Sequence, residues 1–193
     1  MSKVELFREL SLSEARLAAV EALGWVEPTP IQWKAIPPAL EGRDIVGIAQ
    51  TGTGKTGAFM IPILERIQIG EGLQVLVLCP TRELAQQVAE DTEALAKGTA
   101  LRAACIVGGV SYGPQEAALR DGVEIIVATP GRFIDHMGKR RVNLAGLKAL
   151  ILDEADRMLD MGFRPQIEDV RRGIKGKPQV MLFSACLLYT SPS

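Results

Sequence analysis

Ala49-Gln50-Thr51-Gly52-Thr53-Gly54-Lys55-Thr56 is the stretch whose reading decides the fold. An apolar run, Ile45 to Ile48, leads into it, and an apolar helical pattern, Ala58 to Ile67, comes after it. Strand, glycine loop and helix in that order form the setting a phosphate-binding loop needs. Gly52 and Gly54 lack Cβ, so the backbone winds tightly and turns its N–H groups onto anionic oxygens. A helix starting near Lys55 adds unpaired N–H groups and the positive end of its dipole. On this reading Thr51, Gly52, Thr53, Gly54, Lys55 and Thr56 hold phosphates, Lys55 reaches the β- and γ-phosphates, and the Thr56 hydroxyl binds Mg²⁺. The general pattern has Gly where this chain has Ala49, which the loop tolerates if Ala49 ends the strand with an ordinary φ. The competing reading is a Gly/Thr-rich turn with an exposed lysine, and the strand before and helix after it weigh against that.

The rhythm of this stretch recurs along the chain. Six short apolar runs read as buried strands: Asp44–Ile48, Gln74–Cys79, Leu101–Val107, Val123–Ala128, Ala149–Leu152 and Gln179–Phe183. Helical patterns separate most of them. Strands alternating with helices predict an α/β domain: a mainly parallel sheet covered by helices on both faces. Ligands of such sheets bind beyond the carboxyl ends of the strands. Upstream, Ser11 to Leu23 reads as a helix with a Ser11-x-x-Glu14 capping box, stopped by Gly24. Thr29 then caps a second helix with Pro30 at its first position, running to about Leu40. Gln32, in its first turn, offers a donor and an acceptor, which an adenine edge requires. Taken alone, it reads as an ordinary surface glutamine.

Polar motifs fall just past the strand ends. Pro80-Thr81-Arg82-Glu83-Leu84-Ala85 comes after the second strand, Gly108-Gly109 after the third, and Thr129-Pro130-Gly131-Arg132 after the fourth. Each offers helix N-terminal or turn amides, and two add an arginine; such groups hold backbone phosphates without reading bases. Each alone is also a capped helix start. Asp153-Glu154-Ala155-Asp156 succeeds the fifth strand, where Asp153 emerges to meet the Mg²⁺ held by Thr56, and Glu154 orients and deprotonates an attacking water. The alternative is an acidic cap on the next helix. His136, the only histidine, reads as structural or exposed, and Lys139-Arg140-Arg141 as a solvated turn.

Composition limits the classes open to the chain. Its 193 residues, 47% of them hydrophobic, suit one domain with a real core. No apolar run reaches membrane length and no secretory signal is visible, so a cytoplasmic protein is expected. Cys79, Cys105 and Cys186 are too few and scattered for a disulfide frame or zinc site; the first two read as buried packing thiols. A net charge of −1 means that nucleic-acid contacts rest on local groups, not a global field.

In this order the motifs resemble the first RecA-like domain of a DEAD-box ATP-dependent RNA helicase. Gly24, Pro28-Thr29-Pro30-Ile31 and Gln32 are similar to the family's Q motif, with Phe7 at its upstream aromatic position, so that the Q-motif region covers residues 7–32. Residues 49–56 resemble motif I, where the family itself carries Ala49. Pro80 to Ala85 resembles motif Ia, Gly108-Gly109 the GG motif and Thr129 to Arg132 motif Ib. Asp153 to Asp156 resembles motif II, and Ser184-Ala185 the start of motif III. The resemblance implies a three-layer αβα P-loop NTPase domain over residues 1–185, with ATP as substrate and Mg²⁺ as cofactor. It implies that Phe7 and Gln32 select adenine and that Lys55, Asp153 and Glu154 are catalytic, Asp153 acting on Mg²⁺ through water. Pro80, Thr81, Arg82, Gly108, Gly109, Thr129, Pro130, Gly131 and Arg132 would lie along an RNA backbone. Asp156, Ser184 and Ala185 would couple hydrolysis to strand separation.

Two departures stand out. Motif III should read Ser-Ala-Thr, and Cys186 stands in place of the threonine. The chain also ends at Ser193, so the family's second RecA-like domain, with its arginine fingers, is expected to be missing. Residues 186–193, Cys-Leu-Leu-Tyr-Thr-Ser-Pro-Ser, resemble a translated transposase sequencing adapter and are expected to be an artefact tail. The function expected is the ATP-binding half of an RNA helicase, binding nucleotide but hydrolysing it poorly alone. The alternatives are a non-catalytic nucleotide- and RNA-binding module, or a DNA translocase of the wider helicase superfamily.

Overall fold

One six-stranded sheet organises the computed structural model of the chain, which describes residues 5–185. Its strands are β1 (Ile45–Ile48), β2 (Val75–Leu78), β3 (Ala103–Ile106), β4 (Ile125–Ala128), β5 (Ala149–Leu152) and β6 (Gln179–Ser184). They lie in the order β1-β6-β5-β2-β4-β3, and all the pairings between them are parallel. The helices are α1 (Glu5–Arg8), α2 (Glu14–Ala22), α3 (Pro30–Leu40), α4 (Lys55–Leu64), α5 (Arg82–Leu95), α6 (Tyr112–Asp121), α7 (Pro130–Gly138), α8 (Ala155–Asp160) and α9 (Arg164–Gly173).

The strands read as continuous apolar runs because both their faces are covered. Successive side chains point to opposite faces, so Val75 and Val77 of β2 enter one core while Leu76 and Leu78 enter the other. Ile125 and Val127 of β4 likewise oppose Ile126 and Ala128, and Ala149 and Ile151 of β5 oppose Leu150 and Leu152. The first core takes its helical residues from α1 to α5, the second from α6 to α9. This is the three-layer arrangement expected.

α4 is the best-anchored helix. Gly57 and every residue from Ala58 to Leu64 are buried, and its Phe59 ring packs on Phe183 of β6 with centroids 5.3 Å apart. Burying a side chain of this size contributes roughly 1.5–3 kcal/mol, so the loop ahead of α4 stands on a fixed base. Arg16, buried on α2, ties that helix to the ends of α4 and α5. It donates to the carbonyls of Leu95 and Leu64 and pairs with Glu65 at 3.3 Å.

Ladder bonds continue past the strands and fix the first residues of the loops beyond them. The Ala49 N–H donates to the Ser184 carbonyl at 3.0 Å, Asp153 to Leu78 at 3.0 Å, Cys79 to Ala128 at 2.9 Å and Thr129 to Ile106 at 3.1 Å. Every motif anticipated beyond a strand thus sits at one carboxyl edge.

The N-terminal cap differs from expectation. Ser13, not Ser11, caps α2 and accepts from the Arg16 N–H at 3.3 Å. Ser11 takes φ +57° in the turn after α1, and Ser13 gains a second bond across the fold, to Glu65 at 2.8 Å. Thr29 caps α3 as expected, in a reciprocal box with Gln32. Thr129 stands at the start of α7 but makes no capping bond with its side chain. Cys79 is buried, whereas Cys105 is only half-buried, because β3 is a terminal strand of the sheet. Cys186 and the tail assignment lie outside the described residues.

Candidate functional site

Gly54 closes the phosphate loop with φ +86° and ψ 25°, a left-handed conformation that suits glycine and points the chain into α4. A Cβ there would lie 2.6 Å from the Gln32 Nε2, so shape and conformation both exclude a side chain. Lys55, first residue of α4, is 7% exposed, and its ammonium has no hydrogen-bond partner among the described residues. A buried cation without a partner is costly. It faces a cleft of about 170 Å³ lined by Thr51, Gly52, Gly54, Lys55 and Thr56 from the loop and by Asp153 and Glu154 from the end of β5. Trp25 and the α5 residues Leu84, Gln87 and Asp91 complete its wall. A wider groove of about 440 Å³ runs along β1 and α3, but no phosphate loop or buried carboxylate lines it, so the smaller cleft is the candidate site.

The carboxylates in the cleft are under electrostatic tension. Burial pushes Asp153 from its ordinary 3.8 up to about 6; the Lys55 ammonium pulls it down, the Glu154 charge raises it, and the Glu154 N–H lowers it. That N–H donates to Asp153 Oδ1 at 3.0 Å. Glu154 holds φ +51°, a sparsely populated conformation for a residue with a side chain, and such strain gathers where function fixes the geometry. Its carboxylate accepts from Arg157 at 3.2 Å, which keeps it at the rim of the cleft. Asp91 is raised as well, by burial first, against a lowering hydrogen bond from the Thr56 hydroxyl. An orphaned ammonium, two carboxyls held above their usual range and a threonine hydroxyl in one cleft fit an anion accompanied by a divalent cation. Phosphate oxygens would satisfy Lys55, and the cation would favour ionised Asp153.

The two adenine-site candidates fare differently. Gln32 is 2% exposed, accepts from the Thr29 N–H at 3.0 Å and donates to the Gly54 carbonyl at 3.1 Å. Its amide is therefore a strut between α3 and the phosphate loop, and not a free surface glutamine. Phe7 is fully buried in the first core, so its ring presents no face for stacking; α1 spends it on packing. Trp25 is the aromatic that reaches the cleft, packed so closely on Gly57 that a Cβ there would lie 2.6 Å from its ring.

The remaining motifs gather on the other half of the sheet edge. Arg82 begins α5 after β2, Gly108-Gly109 comes after β3, and Thr129 to Arg132 after β4, and β2, β4 and β3 are neighbours. Gly109, at φ +75°, lets the Arg82 guanidinium lie where a Cβ would stand. Arg132 donates to the Val110 carbonyl at 2.9 Å. Thr81 caps α5, accepting from Leu84 at 3.3 Å. Pro80 and Pro130 are buried and so shape the turns instead of offering a surface, a correction to the expected contact set. Gly109, Gly131 and Arg82 are exposed.

The family model described as DEAD/DEAH box helicase matches residues 29–191. The chain belongs to the DEAD/DEAH box helicase family. It is 45% identical over 188 residues to DEAD-box ATP-dependent RNA helicase 30 of Arabidopsis thaliana, a match covering 94% of this chain and 32% of that protein. Among solved structures it is similar to a DEAD box protein from the hyperthermophile Methanococcus jannaschii: TM-score 0.90, 42% identity, 94% of this chain and 50% of that one. The chain thus spans about a third of the length of the first and half of the second.

Within this DEAD/DEAH box domain the residues expected at the nucleotide converge: Thr51, Gly52, Gly54, Lys55, Thr56, Asp153 and Glu154 share one cleft. Thr53 stays beside it, its hydroxyl donating to the Gln50 carbonyl at 2.6 Å. Ser184 ends β6, which lies between β1 and β5, and Ala185 is exposed. At and beside the cleft, Asp91, Gln87, Arg157 and Trp25 escaped the sequence reading. Arg157 stands three residues after Glu154 on one helical face, a spacing that could have revealed it. Asp91 meets Thr56 across 35 positions of sequence, with no local signal.

Proposed function

We propose that the chain is the ATP-binding half of an ATP-dependent RNA helicase that couples ATP hydrolysis to local opening of RNA duplexes. The observation that carries this is the convergence of the unpartnered Lys55 ammonium, Thr56 and the buried Asp153 carboxyl on one cleft. Gly52 and Gly54 would wrap the phosphates with their amides while Lys55 meets the terminal ones. Thr56 and, through water, Asp153 would hold Mg²⁺, which supplies charge neutralisation for phosphoryl transfer. Glu154, fixed by Arg157, would orient and deprotonate the attacking water. Gln32 would serve adenine selection by way of the loop it braces. Arg82, Gly109, Gly131 and Arg132 would track an RNA backbone, and Asp156, Ser184 and Ala185 would pass on the outcome of hydrolysis.

An arginine finger contributes on the order of 10³–10⁵ in rate, and in this reading it comes from a second RecA-like domain that residues 1–185 do not contain. The 193-residue chain should therefore bind adenine nucleotide with Mg²⁺ and turn it over very slowly. Titration with a fluorescent ATP analogue, beside a Lys55→Ala control, tests the binding. Robust RNA-stimulated ATPase from this chain alone would contradict the reading, and so would failure to bind nucleotide. Comparing ATP with GTP, and RNA with DNA stimulation, once the second domain is restored, separates an RNA helicase from a DNA translocase. A cytoplasmic location, and an adapter origin for residues 186–193, belong to the same proposal; the codons of that tail test its origin. No helix among the described residues is long and apolar enough to cross a membrane.

A further inference from the structure

The corner where α6 meets α7 holds a side-chain cluster that the nucleotide cleft does not use. The Tyr112 ring has the Arg132 guanidinium carbon 4.0 Å from its centroid and the Lys139 ammonium 4.2 Å from it. Its hydroxyl donates to Asp135 Oδ2 at 2.9 Å, and its ring meets the His136 ring at 5.4 Å, tilted by 56°. The Arg132–Val110 bond ties this corner to the Gly108-Gly109 turn. Residues 132 and 139 are two helical turns apart, so α7 and its cap place both cations over the same neighbour. Neither Arg132 nor Lys139 has a carboxylate ion-pair partner among the described residues. A carboxylate of the same helix, Asp135, already accepts the Tyr112 hydroxyl. The negative face of the ring offsets part of the repulsion between two gathered cations; an anion would offset the rest.

We infer that Arg132 and Lys139, held together by Tyr112, form a phosphodiester subsite in which Lys139 extends the RNA-backbone track along α7. The inference rests on the proposed reading of Arg82, Gly109 and Arg132 as that track. By sequence alone, Lys139-Arg140-Arg141 is a solvated turn; in the fold, Lys139 leaves that run and joins the aromatic clamp. Phosphates bound without base contacts position a strand and carry no sequence information, so the subsite fixes direction and register, not sequence choice.

His136 makes the subsite measurable. It is fully buried, and neither ring nitrogen has a hydrogen-bond partner among the described residues. Burial holds the imidazole below its ordinary value, helped by Arg141, Arg132 and Lys139 and opposed by Glu116. Tyr112, whose hydroxyl donates to Asp135, also packs on the imidazole. A phosphate between Arg132 and Lys139 screens two of these cations, so the histidine becomes easier to protonate. As the chain's single histidine, it gives one unambiguous NMR signal.

The test uses the full chain and a short labelled single-stranded oligouridine, with affinity read between about 50 and 200 mM salt. Each phosphate contact on a single strand contributes about 0.7 to the slope of log affinity against log salt. Lys139→Ala should therefore lower the slope by about 0.7 and shrink the affinity change over that range by about 2.6-fold. Tyr112→Leu should lower the slope although it removes no charge. In the wild type, RNA should raise the His136 pKa, and in Lys139→Ala it should not; inorganic phosphate alone serves as the ion control. If Arg82→Ala weakens binding while Lys139→Ala leaves slope and histidine unchanged, the subsite is wrong and the RNA track stands. If the wild type retains no RNA at the lower salt, both fall. Should Tyr112→Leu fail to fold, exposed Lys139 decides the matter alone.

Discussion

Asp153→Asn should make the protein more stable and less functional at once. The wild-type carboxyl is 2% exposed, and burial lifts it from 3.8 to about 6 even with Lys55 pulling the other way. Between about pH 4 and 6 the native state keeps a proton that the unfolded chain has released, so stability falls as pH rises through that window. The loss is complete above the folded-state value. At about 1.36 kcal/mol per pKa unit it reaches about 3 kcal/mol. Asparagine keeps the shape and can still accept the Glu154 N–H at Oδ1, but it carries no charge to bury. Thermal unfolding across about pH 4 to 8 should show the variant ahead by about 6–12 °C above pH 7, since about 1 kcal/mol shifts a domain of this size by 2–4 °C. The two curves should meet near pH 4, where the wild-type carboxyl is protonated in both states. Magnesium with ATP should narrow the gap at neutral pH, because a nearby cation stabilises the ionised form. A variant that is less stable than wild type at pH 7.5, or a difference that ignores pH, would refute the claim that Asp153 is a buried charge kept for chemistry.

The other predictions come from named contacts. Gly54→Ala places a methyl 2.6 Å from the Gln32 amide at φ +86°; the conformation alone costs about 1–2 kcal/mol, and calorimetric titration should find nucleotide binding lost. Gln32→Glu keeps the bond from the Thr29 N–H but sets an oxygen against the Gly54 carbonyl now 3.1 Å from Nε2. It should cost about 1–3 kcal/mol in urea unfolding, more than Gln32→Ala, and the reverse ranking would remove the strut from the account. Arg16→Met takes the cation from Glu65, which keeps only its bonds from Ser13, and strands the carbonyls of Leu95 and Leu64. It should destabilise by about 3 kcal/mol in a thermal melt while leaving the nucleotide affinity of the folded fraction unchanged.

The fold was legible because parallel strands buried on both faces announce themselves as apolar runs, and all six runs became strands. The loop that lines the candidate cleft was legible because a phosphate cradle would use backbone amides, whose geometry a glycine pattern encodes locally. What local sequence could not decide was competition over distance. Ser11 and Ser13 are equally good caps by residue type, and Ser13 prevails with a bond to Glu65, 52 positions away. Phe7 has an aromatic ring either for a ligand or for the core, and packing against residues far along the chain assigns it to the core. Asp91 meets Thr56, and Lys139 meets Tyr112, only once the helices carrying them are docked.

The sheet order also explains how the two halves of the edge could work together. Strands β1, β6 and β5 carry the proposed nucleotide residues, while β2, β4 and β3 carry the proposed RNA track, and the halves meet between β5 and β2. At that seam the Asp153 N–H bonds to the carbonyl of Leu78, two residues before Pro80. α5 spans the seam by side chains: Arg82 at its start lies against Gly109, while Leu84, Gln87 and Asp91 line the nucleotide cleft. Its buried stripe, Ala85, Val88, Ala89, Thr92 and Leu95, packs it as a rigid element, so it cannot yield at one end alone. A cation held at Thr56 as proposed would compete for the hydroxyl that hydrogen-bonds to Asp91, and a shift of α5 in response would reach Arg82. Breaking that hydrogen bond with Asp91→Ala should therefore weaken the dependence of RNA affinity on nucleotide while sparing RNA affinity without nucleotide; unchanged coupling would show that α5 is a passive wall.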